Sequence, residues 1–194
     1  MKNIANFSLR RQFIDTPQAR RVFERLNEVH QDTLRSKTSK GLMLQGLSGS
    51  GKTTTVRQYL SSVFPTPNVP GKVLRALRVE IPSSPSKKNL ATAMLTALDD
   101  PFASSRSHSA ETKFTRIVTL LRNLQTEIII LDEAQHLVDY SRTNTYEAAD
   151  WIKSLMNETE ITIVLVGLRR TQRLLWANEQ LRRRLFCQRG FGPL

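Results

Sequence analysis

Cysteine is nearly missing from this chain: Cys187 is the one cysteine in 194 residues. An internal disulfide is therefore excluded, as is a zinc site built from cysteines, and the usage suits a reducing cytoplasm. Apolar runs extend only a few residues, so no membrane span is expected. The amino end, MKNIANFSLRRQF, lacks the apolar stretch of a secretory signal. Aromatic side chains make up 7% of the chain and are rarely interleaved with basic ones, which disfavours a stacking platform for single-stranded bases. Acidic residues are in deficit too, 17 against 29 Lys and Arg, for a formal net charge of +12. Such a surplus attracts polyanions, nucleic acid first among them. With 39% hydrophobic and 24% charged residues, the composition excludes a wholly disordered chain and leaves enough apolar material for one domain core.

The positive charge sits at the two ends. Residues 1–60 carry 11 basic and 4 acidic side chains, and residues 169–194 carry 7 and 1, while 61–168 are nearly balanced at 11 and 12. Two readings stay open, solvated basic faces or contact with duplex phosphates.

Patterning alternates strands with helices. Residues 1–15 read as an extended arm. Thr16-Pro17 reads as a helix start, with Thr16 as N-cap and Pro17 at the first helical position, where its missing N–H is harmless. Ala19, Val22, Phe23, Leu26, Val29 and Leu34 then lie close to one apolar helical stripe, and SKTSKG ends it. Strands are expected at 41–45, 74–81, 127–132 and 161–167, and helices at 52–63, 90–98, 111–124 and 146–157. A last helix begins over 171–177, and the loop PTPNVPG interrupts after the second helix. Four consecutive branched residues, Ile128-Ile129-Ile130-Leu131, suit a strand buried on both faces. The fold class implied is α/β, a three-layer sandwich with a central parallel sheet covered on both sides.

Gly46-Leu47-Ser48-Gly49-Ser50-Gly51-Lys52-Thr53 matches G-x-x-x-x-G-K-[ST] in full. Glycines let the backbone curl so that successive N–H groups face phosphate oxygens, and the following helix adds its positive end. Gly46, Ser48, Gly49, Ser50, Gly51, Lys52, Thr53 and Thr54 are the expected nucleotide contacts. Lys52 would neutralise the β and γ phosphates, and the Thr53 hydroxyl would ligate Mg2+. Downstream, Asp132-Glu133 leaves the apolar strand at its carboxyl end, where open α/β sheets place ligands. Asp132 would hold the magnesium through water, and Glu133 would polarise the attacking water. The absence of an Asn-Lys-x-Asp motif favours ATP over GTP. His30 and His108 have no partners at metal-ligand spacing, and His136 reads as a helix-start residue rather than a ligand. The late run Arg182-Arg183-Arg184 suits either a solvated turn or a phosphate contact.

Taken together, GLSGSGKT, VEIPSSPSKKNLATAMLTAL (79–98), IIILDEAQHL (128–137), VLVGLRRT (164–171) and NEQLRRRLF (178–186) resemble the AAA+ ATPases of DNA transposition, the TniB and TnsC family. Roughly residues 17–186 carry the likeness, and Gln135 and His136 match the family's DEAQH run. The resemblance implies a P-loop NTPase of the AAA+ kind, a homo-oligomeric ring or filament on double-stranded DNA that chooses target sites and recruits or activates a transposase. It makes Arg184 the candidate arginine finger, with Arg183 as the fallback. Lys87 and Lys88 become candidate backbone contacts to DNA. Leu168 stands where the family places a polar sensor of the γ phosphate. The expected organisation is an arm and helix over 1–36, a nucleotide-binding core over 37–186 and a short tail over 187–194, with the helical lid missing because CQRGFGPL is too short to form one. Two alternatives remain: a non-hydrolysing, nucleotide-gated adaptor or truncated remnant, and an AAA+ ATPase of replication or helicase loading.

Overall fold

The computed structural model describes residues 16–65, 73–139 and 141–191. The expected arm at 1–15, most of the PTPNVPG loop and the last three residues of the tail lie outside them. Helix α1 (Pro17–Ser36) starts as its sequence dictates. The Thr16 side chain accepts from the Ala19 N–H, Pro17 stands at the first helical position, and Lys37 ends the helix in the left-handed region. Strand β1 (Gly41–Gly46) follows, then α2 (Lys52–Val63) and β2 (Ala76–Glu80). Helices α3 (Lys87–Ala97) and α4 (Ala110–Asn123) lead to β3 (Ile128–Asp132), α5 (Arg142–Glu158) and β4 (Thr162–Gly167). Helices α6 (Arg173–Ala177) and α7 (Glu179–Arg184) run into β5 (Leu185–Phe191).

Two expectations need correction. NEQLRRRLF was expected to follow the last recognisable helix, yet Asn178 caps a further short one, its side chain accepting from the Leu181 N–H. A boundary at Phe186 is also displaced, because β5 runs from Leu185 to Phe191 and pairs with β1. Edge-strand pairing decided this, and eight residues containing two glycines carry no periodicity that announces it.

Among the described residues five strands form one parallel sheet, in the order β2-β3-β4-β1-β5. Strands β1, β3 and β4 are buried at every position, which explains their unbroken apolar runs. Alternate residues feed two separate cores. Leu42, Leu44, Ile128, Ile130, Val164 and Val166 face Val22 and Leu26 of α1 and Val56 and Tyr59 of α2. Met43, Ile129, Leu131, Ile163 and Leu165 face the opposite way, onto α3, α4 and α5. The period of two in each strand thus sorts the core into the outer layers of a three-layer sandwich. Among the described residues, no helix is long and apolar enough to cross a membrane.

A buried polar cluster ties α1 to α2, the helix that follows the glycine-rich turn after β1. His30 Nδ1 lies 3.0 Å from the Tyr59 hydroxyl, and Nε2 lies 3.4 Å from Glu127 Oε2. Arg75 pairs with the same Glu127 at 2.5 Å from its Nε. Burial pushes the Tyr59 phenol up to about 12, with the Glu127 charge adding to it, so the hydroxyl stays protonated beside the His30 ring. Burial also lowers the pKa of His30, outweighing the Glu127 carboxylate that raises it, and Arg75 lowers it further. A depressed histidine is neutral in the fold while its unfolded counterpart titrates near a value of about 6.5. Stability linked to His30 is therefore fully present above that value and declines as pH falls through it towards the folded pKa, where the loss levels off. Urea unfolding at pH 7.5 and at pH 5 should show a larger drop for the wild type than for His30→Gln; equal drops would remove His30 from the acid response.

Candidate nucleotide site

Because every strand is parallel, all carboxyl ends lie at one edge of the sheet, and three of them frame the site. The turn after β1 carries Gly49 at φ +74 and Gly51 at φ +86, a region that side-chain-bearing residues enter at a cost. Gly51 caps α2 without a side-chain hydrogen bond, so the first N–H groups of that helix have no side chain of their own cap to satisfy them. Residues 48–54 of this turn line a cavity of about 230 Å³ together with Asp132, Glu133, Gln135 and the Val166–Leu168 end of β4. Gly46 closes β1 beneath it.

Lys52 is buried and folded back on its own loop. Its ammonium donates to Leu47 O at 2.6 Å, Gly46 O at 3.1 Å and Ser50 Oγ at 3.3 Å. Burial lowers its pKa, and the carboxylates of Glu133 and Asp132 oppose that shift. All three bonds are to neutral oxygens, so an anionic oxygen in the cavity would offer the ammonium a stronger, charge-assisted partner. Thr53 Oγ1 lies 3.2 and 3.3 Å from the two Asp132 oxygens, which joins α2 to the end of β3. Hydroxyl and carboxylate together form a hard oxygen donor set of the kind that suits Mg2+. Thr54 is exposed on the cavity rim.

Arg78 was missed by the sequence reading. Its guanidinium meets Asp132 Oδ2 at 2.7 Å from one terminal nitrogen and 3.3 Å from Nε. In LRALRVEI it looks like the solvent-facing member of an alternating strand, and only the β2–β3 pairing brings it to the carboxylate. The Glu133 N–H donates to Asp132 Oδ1 at 3.0 Å, and Glu133 itself sits at φ +55. That left-handed turn directs the chain from β3 into a short 3-10 turn, Ala134–Val138, whose Gln135 donates to the Glu133 carboxylate. Gln135 was noted only as part of a motif, and the geometry gives it a definite contact. His136 Nδ1 lies 3.0 Å from Ile81 O, anchoring that turn to the end of β2, and no cluster of metal-ligating side chains is present among the described residues.

The remaining candidates lie elsewhere. Arg184 ends α7 just before β5, at the amino end of the sheet, and donates to Asn157 Oδ1 at 2.7 Å. A six-residue strand advances about 20 Å at roughly 3.3 Å per residue, so Arg184 does not reach the cavity of its own chain. Lys87 and Lys88 are exposed at the start of α3, outside the cavity, and Lys88 Nζ donates to Arg106 O at 2.9 Å. Leu168 lies at the cavity wall with its backbone N–H turned to Gln135.

A parallel sheet in this order, with a glycine-rich turn after β1 and paired carboxylates after β3, defines a P-loop NTPase of the AAA+ class, a nucleotide-binding fold. The family model for the bacterial TniB protein matches residues 5–189, and the chain belongs to that family. Among solved structures, the Aeropyrum pernix ORC2 protein in ADPNP–ADP complexes is similar at TM-score 0.66 and 18% identity, over 91% of this chain and 49% of that one. The ORC1 protein of the same organism, solved in complex with DNA, gives 0.61 and 21%, over 89% and 45%. Cdc6p from Pyrobaculum aerophilum gives 0.63 and 16%, over 91% and 47%. At such identities the likeness is one of fold, and this chain spans about half the length of each. No curated protein matches the chain by sequence.

The backbone at Gly51 sets a checkable expectation. Gly51→Ala places a side chain at φ +86 and should lower stability by about 1 kcal/mol in denaturant unfolding, although the space beside it is open. An unchanged midpoint would mean that the turn relaxes freely.

Proposed function

We propose that this chain is the ATPase domain of a cytoplasmic regulator of DNA transposition. The observation that carries the reading is the convergence of Lys52, Thr53, Asp132 and Glu133 on one cavity. In this reading the turn 46–51 wraps the phosphates of ATP with its N–H groups, and the Lys52 ammonium leaves its loop carbonyls for the β and γ phosphates. Thr53 would ligate Mg2+ and Asp132 would hold it through water; when bound, the ion neutralises charge on the phosphate oxygens. Glu133 accepts the proton of the attacking water.

Arg184 acts on the nucleotide of a neighbouring subunit, since it lies at the opposite edge of the sheet from its own cavity. A head-to-tail contact between opposite edges generates a ring or a filament. The basic surplus supports assembly on duplex DNA through backbone phosphates, with Lys87 and Lys88 as candidate contacts. Membership of the TniB family favours target selection and recruitment or activation of a transposase over replication or helicase loading, whose proteins share the fold. A transposase gene beside this one supports that choice, and a replication gene in its place reverses it.

Four measurements test the reading. Calorimetry should show Mg–ATP binding that Lys52→Ala weakens at least about 100-fold, as loss of a charge-assisted contact of roughly 3 kcal/mol implies. Glu133→Gln should retain binding and lose turnover with duplex DNA present; retained turnover removes Glu133 as the base, while tight binding with background turnover in the wild type favours the nucleotide-gated adaptor. Mixing Arg184→Ala with Lys52→Ala subunits should restore part of the turnover that each lacks alone, because intact cavities then face intact arginines. DNA affinity should fall steeply with salt, and a salt-independent interaction would count against backbone contacts.

A further inference from the structure

We propose that Gln135 is the positioning residue for Glu133, and that it ties the carboxylate to the end of β4. This rests on Glu133 acting as the base in the reading above. Gln135 is buried, and its two amide atoms face different elements. Nε2 donates to Glu133 Oε2, and Oε1 accepts from the Leu168 N–H at 3.2 Å. The reverse orientation of the amide would set oxygen against carboxylate and N–H against N–H, so both contacts fix the same rotamer.

The floor beneath Gln135 is built for it. A Cβ on Gly167 would come within 3.0 Å of Gln135 Oε1, 3.1 Å of Gln135 N and 2.5 Å of Thr171 Oγ1. The φ of Gly167 lies outside the left-handed region, so space is what requires glycine there. The side chain at the end of β4 belongs to Leu168, which has no polar group to offer a ligand. Gln135 brings a carboxamide from the neighbouring turn to that same cavity wall. A displacement of the β4 end therefore moves the Leu168 N–H, the amide that accepts it, and the carboxylate that the amide holds. Glu133, itself at a left-handed backbone position, has this one side-chain donor among the described residues.

Two variants of Gln135 separate its two bonds. Gln135→Met keeps the length and removes both; Gln135→Glu keeps the acceptor for Leu168 N–H and sets a second carboxylate against Glu133. Each is compared with the wild type and with Glu133→Gln in the full chain with duplex DNA, by steady-state turnover of ATP and by calorimetry of Mg–ATP. Both variants should lower kcat about 10- to 100-fold, with KM and binding affinity held within about twofold, as misplacement of a base by an ångström predicts. Gln135→Glu should be no better than Gln135→Met, because the bond to Glu133 is the one that matters. Unchanged or raised kcat, with Glu133→Gln inactive, overturns the positioning role and leaves the base standing. A loss that appears in KM or in binding also overturns it, since that marks a cavity wall. Turnover that survives Glu133→Gln, or is missing from the wild type, removes the base and this inference with it.

Discussion

Asp132 carries a carboxylate to the lip of a strand whose other residues are branched and apolar, and the site depends on keeping that charge satisfied. A buried carboxylate without donors is costly, and here three donors from three places supply it. Thr53 comes from the helix behind the phosphate loop, Arg78 from the neighbouring strand, and the Glu133 N–H from the turn that follows. One charge thereby fixes the position of α2 against β3, holds the edge strand β2 in register, and shapes the turn that presents Glu133. The loop lysine meets the opposite constraint, an ammonium satisfied by neutral oxygens of its own turn. A cation and an anion thus stand in one cavity without pairing.

Parallel strands give the sheet two unlike edges. Carboxyl ends hold the cavity, and amino ends hold Arg184 and the His30–Tyr59–Glu127 cluster. The last arginine of α7 thus stands away from the nucleotide edge of its own chain. The proposed head-to-tail assembly would bring the two edges together across a subunit boundary. The same polarity explains why α1 contributes to the fold without touching the site: it covers the sheet beside α2 and is fastened to it by a buried histidine.

Much of the architecture is legible in the sequence. Lys52–Val63 was read to the residue as the second helix, because a glycine and a lysine marked its start and a proline-rich loop its end. Thr16 and Pro17 marked α1 through chemistry local to four residues. Strands β3 and β4 announced themselves by runs of branched residues that only a doubly covered sheet can bury. Boundaries drifted where local signals were weak: α5 begins at Arg142, four residues before its first expected position, because Ser141 rather than an apolar residue starts it. Helix α7 and strand β5 were missed because six residues with three arginines, and an edge strand interrupted by a glycine, do not carry a readable period.

Periodicity and motif spacing alone were enough to decide the layering, the phosphate loop and the acidic pair, since each is written within a dozen residues and acts through the local backbone. Tertiary structure decided which side chains serve those groups. Arg78 and Asp132 are 54 positions apart and meet through strand register, and Gln135 finds the Leu168 N–H 33 positions on because β3 and β4 end side by side. Hydrogen bonds extend only about 3 Å, so partners distant in the chain become visible only when the sheet has brought their strand ends to one edge.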